Sequence, residues 1–334
     1  MRPLLIALGG LLWLGCAATP RTPRSVVPSA CPAGREPVAW SSVYLDNASG
    51  CALTTTGGRR DVTCWQDRSE PPRPGARVVG EVEVWHREVP ASVAHGLDAR
   101  TELFAGHLGT CFKTGAQVTC MDGSGQAGGT TFVADHMASG DQVTCMSRGS
   151  RLQCHGDGVA IPMRTQADFV FSSDITEIAI GVGAVCVVLQ DGTASCLNGY
   201  SASSTGWETF GPGITHVASN LFNVCAYDEA RRWGRCKTRE GSLAFEKVVK
   251  MVSDSESFCV LTERAEVLCW ADAVTDAEAP NARWDVRTVM TGVTNLWAGR
   301  LKTCALTQPG AVYCWGHGVP VETASSTGPQ LVCL

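Results

Sequence analysis

The chain lacks the short-range motifs that announce catalysis. No Cys-x-x-Cys, no His-Glu-x-x-His and no Cys/His quartet at zinc spacing occurs, which argues against a metal centre and against a dithiol redox enzyme. The glycine-rich stretch from Gly123 to Gly129 is not followed by Gly-Lys-Ser/Thr, so it reads as a connecting turn and not as a phosphate cradle. There is no Gly-x-Ser-x-Gly elbow. The seven histidines (His86, His95, His107, His136, His155, His216, His317) are scattered, and chain order alone assembles no triad from them. Basic runs are missing too: no more than two Lys/Arg stand together and the net charge is -5, which argues against the counterion-releasing surface that nucleic acid requires. No catalytic residue, metal or cofactor is therefore expected.

What the chain has begins with its leader. Arg2 precedes an apolar run from Leu4 to Leu14 and then Gly15 and Cys16, the pattern of a signal peptide over residues 1–15. Leu12-Trp13-Leu14-Gly15-Cys16 resembles the lipobox of bacterial lipoproteins, in which the cysteine is acylated and becomes the N-terminus. Trp13 departs from the Leu that the family prefers, which leaves cleavage near Ala17 or Ala18 as the second route. The resemblance implies lipidation at Cys16 and contact with a lipid bilayer through the acyl chain. Ala17 is not the Asp associated with inner-membrane retention, so outer-membrane placement is expected, with secretion as the alternative. Residues 16–30 are rich in Pro, Ser and Thr and read as an extended tether. Removal of Arg2 with the leader leaves 26 basic against 32 acidic side chains, a balance of -6, and no second apolar run reaches spanning length.

The remaining sixteen of the 17 cysteines are organised. Seven short-range couples are Cys51 with Cys64, Cys111 with Cys120, Cys145 with Cys154, Cys186 with Cys196, Cys225 with Cys236, Cys259 with Cys269 and Cys304 with Cys314; Cys31 and Cys333 stand one near each end. Eight residues before each first cysteine stands an apolar residue: Val43, Leu103, Met137, Ile178, Val217, Met251 and Leu296. Five before it stand Asp46, Gly106, Gly140, Gly181, Asn220, Asp254 and Gly299, residues that tolerate the positive φ of tight turns. The residue after it is again apolar throughout, and aliphatics precede six of the seven second cysteines by two. Turn residues such as Gly115, Gly149, Asp191-Gly192 and Pro309-Gly310 lie between the cysteines. Each couple therefore brackets a β-hairpin with its cysteines placed for cross-strand bonding.

First cysteines recur at intervals of 60, 34, 41, 39, 34 and 45 residues, a mean of about 42 and the period of propeller blades. Apolar residues do not recur at helical spacing, and strands apolar on both faces, such as CALTQPGAVYCW, fit blades sandwiched between neighbours. Leu296 to Gly318 resembles the regulator-of-chromosome-condensation repeat in its bacterial exported form, and Met121 to Thr131 resembles that family's glycine-rich blade connection. The resemblance runs over about residues 38 to 333 and is weakest in the fifth repeat, where Tyr227 to Arg235 has no glycine turn and Gly234 replaces the aliphatic. It implies an all-β, seven-bladed β-propeller of three- to four-stranded blades over residues 31–334, each with a disulfide-stapled hairpin. A Cys31–Cys333 bond would then latch the ring, for a chain-entropy gain of roughly 5 to 6 kcal/mol against roughly 2.5 to 3 for each hairpin loop.

Trp65, Trp270 and Trp315 each follow a second cysteine, which marks a packing slot between blades. Trp207, Trp233 and Trp284 fall outside that slot and are candidates for a binding surface. The longest interval, about residues 66–100, reads as an insertion whose strand-like run ends at Trp85, His86 and Arg87, a further candidate surface for partner recognition. The expected function is non-enzymatic binding of a protein or glycan by an envelope-anchored monomer. A secreted inhibitor of an extracellular enzyme is the alternative, and a glycan-active enzyme the less favoured one. The repeat family's nucleotide-exchange activity does not carry over to an exported, acidic, disulfide-bonded chain.

Overall fold

The structure, a computed structural model, describes residues 31, 40–45, 49–56, 59–67, 77–79, 82–88, 101–106, 109–121, 131–140, 143–156, 167–181, 183–198, 207–220, 224–236, 241–244, 247–254, 257–271, 286–299, 302–308, 310–316 and 329–332, some of them by backbone alone. The expected signal segment 1–15, the tether 16–30 with Cys16, and also Trp284 and Cys333 lie outside the described residues.

Alternating short β-rich runs and turns form seven antiparallel sheets. Blade 1 holds β1 (Trp40–Leu45), β2 (Ser49–Thr56), β3 (Arg59–Asp67), β4 (Arg77–Val79) and β5 (Val82–Glu88), in the order β1-β2-β3-β5-β4. The other blades have four strands each in sequence order. Blade 2 is β6 (Glu102–Gly106), β7 (Gly109–Thr114), β8 (Gln117–Met121) and β9 (Thr131–Val133); blade 3 is β10 (His136–Gly140), β11 (Val143–Arg148), β12 (Arg151–Gly156) and β13 (Ala167–Val170). Blade 4 is β14 (Ile175–Gly181), β15 (Ala184–Leu189), β16 (Ala194–Asn198) and β17 (Glu208–Phe210); blade 5 is β18 (Ile214–Ser219), β19 (Val224–Asp228), β20 (Trp233–Cys236) and β21 (Gly241–Ala244). Blade 6 is β22 (Val248–Ser253), β23 (Ser257–Thr262), β24 (Glu266–Ala271) and β25 (Arg287–Thr291); blade 7 is β26 (Val293–Gly299), β27 (Lys302–Thr307), β28 (Val312–Gly316) and β29 (Gln330–Leu331). A 34-residue period, short enough to suggest three strands, holds four because outer strands such as β9 need only three residues.

First strands touch first strands around the whole ring, and β26 touches β1 to close it. Among the described residues no strand is exchanged at the closure: blade 7 is built from the C-terminal segment and blade 1 from the N-terminal one. The core is correspondingly divided into seven apolar clusters, one in each seam between adjacent blades. The closing seam packs Trp40, Val43, Leu45 and Trp65 against Cys304, Val312, Cys314 and Val332, with Trp40 stacked on Trp65 at 5.0 Å.

All seven hairpin disulfides are present, each joining directly opposed residues of a blade's second and third strands, with Cα atoms 3.9 to 4.1 Å apart. This is the close kind of antiparallel pair, which a cystine bridges from facing side chains. Cys31 is also disulfide-bonded, to a residue outside the described ones. The two aligned apolar rows turn out to be cross-strand partners, Val43 with Ala52, Leu103 with Phe112 and Leu296 with Ala305 among them. Trp65, Trp270 and Trp315 lie in the seam with the preceding blade, each beside that blade's cystine. The fifth hairpin, without a glycine turn, places Arg232 at φ 52° instead, an uncommon conformation for a side-chain-bearing residue.

One expectation is corrected. Gly140, Gly181, Asn220, Asp254 and Gly299 do not adopt positive φ; they end or follow the first strand, and the glycines among them sit where adjacent blades come closest. A Cβ on Gly181 would collide with the backbone of Ser219 in the next blade, and one on Gly299 would come within 2.7 Å of Leu45 across the closing seam. The missing side chain serves close approach rather than turn geometry. Gly181→Ala is expected to lower stability by about 1 to 3 kcal/mol, the usual range for overpacking, when chemical unfolding is followed by fluorescence; an unchanged midpoint would mean the seam has slack there.

Candidate functional site

The first strand of each blade pairs on one side only, so seven unpaired strand edges surround the ring axis. They enclose a cavity of about 490 Å³ lined by residues of all seven first strands. In five blades the register slips as this strand begins, the mark of a β-bulge, at Ser41, Thr176, Thr215, Val249 and Thr294. Four of these five are Ser or Thr, whose hydroxyls donate to the carbonyls of Leu53, Val188, Tyr227 and Leu306 on the second strand.

Immediately after the bulge position, and nine residues before each first cysteine, stands a polar residue in every blade: Ser42, Glu102, His136, Glu177, His216, Lys250 and Asn295. All but His136 line the cavity. Ser42, Glu177 and Lys250 reach around the ring toward the following blade. Leu103 N donates to Ser42 Oγ at 2.7 Å, and Val217 N donates to Glu177 Oε1 at 3.1 Å. His216 Nδ1 lies 2.8 Å from Glu177 Oε2. Lys250 Nζ donates to Asn295 Oδ1 at 3.0 Å and stands 5.8 Å from the centre of the Trp297 ring, within cation–π range. Glu102 keeps a largely exposed carboxylate, 3.8 Å from Lys113 Nζ.

Burial sets the electrostatics. It lowers the His136 pKa below the ordinary histidine value, helped by Lys113, while Asp135, Glu102 and Glu177 pull it up. Burial lowers Lys250 as well, against the pull of Glu102 and Glu177 from across the cavity. In a ring of seven, blade 6 stands opposite the junction of blades 2 and 3. The lysine therefore faces Glu102 across the ring, with Glu177 on blade 4 to one side. Among the described residues no group of three or more metal-ligating side chains is brought together.

The sequence-derived candidates lie elsewhere. Trp85, His86 and Arg87 fall on β5, opposite Cys64, Thr63 and Val62, at the outer side of blade 1; their side chains are outside the described residues. The described part of the insertion thus forms the fourth and fifth strands of the sheet. Trp207 is half-buried between blades 3 and 4, edge-on to Phe169 at 5.1 Å and Phe171 at 5.0 Å, a packing position. Trp233 opens β20, half-buried, opposite Asp228 and Ala244. Neither Trp207 nor Trp233 lines the axial cavity. The polar row is what sequence reasoning missed, though its signal was present: one polar residue directly before each member of the apolar row from Val43 to Leu296.

No family model and no curated protein matches the chain. Among solved structures, Hsv2 of Kluyveromyces marxianus is similar at a TM-score of 0.51 with 11% identity, over 84% of this chain and 93% of that one. The CRINKLY WD40 ectodomain of the Arabidopsis thaliana receptor kinase ACR4 is similar at 0.48 with 16% identity, over 86% of this chain and 97% of that one. Yeast RCC1 (Prp20) is similar at 0.45 with 12% identity, over 87% of this chain and 74% of that one. At these identities the likeness concerns the fold.

Two outcomes follow from the charges. His136 has a folded-state pKa below 6.5, so the unfolded chain binds the extra proton first and stability is lost as pH falls below 6.5. His136→Gln should flatten that acid-side loss in melting temperature measured from neutral to mildly acidic pH. Lys250→Met should raise the melting temperature at neutral pH, because the native state no longer holds an ammonium that burial disfavours; a lower one would show that Lys250 supports the ring.

Proposed function

We propose that this protein is a non-enzymatic binding propeller, exported and held at the outer membrane through an acylated Cys16 and the tether 16–30, where it engages a protein or glycan. The observation that carries the reading is the cystine in every blade. Such a set forms and persists in an oxidising compartment, as export requires. It also makes a rigid ring, and the groups facing the axis are committed to one another, Glu177 to His216 and Val217, Lys250 to Asn295, in the manner of a preorganised recognition surface.

The insertion offers a second surface to a macromolecular partner. β4 pairs with β5 alone among the described strands, which leaves one ladder edge available for strand addition. Recognition there and recognition at the axis are compatible, since one is on the rim and the other at the centre.

The anchor is tested by expression of Cys16→Ser beside the native chain. The native protein should sediment with membranes and carry a lipid mass on its N-terminal peptide, and the variant should lose both. A native N-terminus beginning beyond Cys16, without lipid, would overturn the anchor and favour the secreted-inhibitor reading.

A further inference from the structure

Three members of the axial polar row have a structural duty. A first strand with a free edge leaves backbone N–H groups without a ladder partner, and Ser42, Glu177 and Asn295 each accept one of them, from Leu103, Val217 and Leu296. Lys250 cannot do this, because an ammonium has three donors and no acceptor. Among the described residues it is met by the neutral Asn295 oxygen and the Trp297 ring, and no carboxylate lies within ion-pair distance of it. Its position in the cavity is electrostatically unfavourable and structurally unnecessary, the combination that marks a group kept for a ligand.

The wall formed by blades 2 and 4 has the reverse character. Glu102 lines the cavity with a largely exposed carboxylate 3.8 Å from Lys113 Nζ, and Glu177 uses one oxygen on His216 and the other on Val217, which leaves each carboxylate with lone pairs unspent. A ligand negative throughout would be repelled by this wall, and one positive throughout by the lysine. The volume of about 490 Å³ lies in the range of small-molecule sites.

We propose that the axial cavity binds a small zwitterion of the amino-acid or short-peptide class, its carboxylate seated on Lys250 beside Trp297 and its amine on Glu102 and Glu177. Two ammonium hydrogens of Lys250 remain for the carboxylate once Asn295 is served. The Trp297 face, already beside the ammonium, packs against the ligand's carbon chain. The assignment rests on the reading of the ring as a binding module and is independent of the anchor.

Isothermal titration of the mature, disulfide-intact protein with alanine, dialanine and trialanine tests it, with N-acetylated and C-amidated forms of each and acetate alongside. At least one free zwitterion should bind, and blocking either end should weaken it about tenfold or more, the worth of a charge-assisted hydrogen bond. Lys250→Met should erase the difference between free and amidated peptides while leaving the preference for a free amine. Glu102→Gln should do the converse. Misfolding would abolish both preferences together, and a melting curve of each variant checks for it. The proposal is overturned if none of the series binds, if blocked peptides bind as well as free ones, or if acetate competes as well as the peptide. If it fails while Cys16→Ser still leaves the membrane, the anchored binding module stands and its ligand site lies elsewhere, with the β4 edge next to be probed.

Discussion

A small sheet with two apolar faces cannot stand by itself in water, and every blade here is such a sheet. Burial of both faces requires a neighbour on each side, and a row of such sheets ends without exposed faces only when it closes on itself. The seven seam clusters are that requirement made concrete, and the closing one, between Trp40 and Trp65 on one side and Val312 and Val332 on the other, is built like the rest. Among the described residues no strand crosses from one end of the chain into the other's blade, so this seam packs like the other six. The glycines at 140, 181 and 299 follow from the same constraint: sheets radiating from an axis are nearest at their inner edges, where a side chain has no room.

The inner edge imposes a second condition. Outer strands present their free edges to water, whereas the first strands present theirs to a confined space where side chains must supply partners. The bulge at the start of five of these strands and the hydroxyl that satisfies it turn the next residue toward the neighbouring blade. Polarity at the axis is thus in part a product of strand geometry, and Lys250, which can accept no hydrogen bond, has to be explained by something else. The asymmetry of charge across the cavity comes from unlike residues occupying equivalent places in seven blades.

Much of this was legible in the chain. The cysteine couples, the paired apolar rows and the tryptophans after Cys64, Cys269 and Cys314 report on one strand pair at a time, and local spacing suffices to read them. The row from Ser42 to Asn295 was not read because its members share polarity and nothing else, while the eye seeks identity between repeats. The glycine row suggests turns in the sequence alone, since a glycine needed for positive φ and one needed for close approach look the same until the neighbouring blade is in place. The sequence leaves Trp207 a surface candidate because Phe169 and Phe171, which pack edge-on against it, come from the preceding blade.

The cystines join residues 9 to 13 positions apart within one hairpin, and each packs into the seam with the following blade. Segments of that length meet in well under a microsecond, on the order of 10 to 100 ns for about ten residues, long before distant blades find one another. Each thiol therefore meets its correct partner at a far higher effective concentration than any of the others. Oxidation can proceed hairpin by hairpin as the chain meets an oxidising environment, so that a protein with many wrong ways to pair its cysteines is guided to the right one by proximity, and arrives at ring closure with its blades already locked.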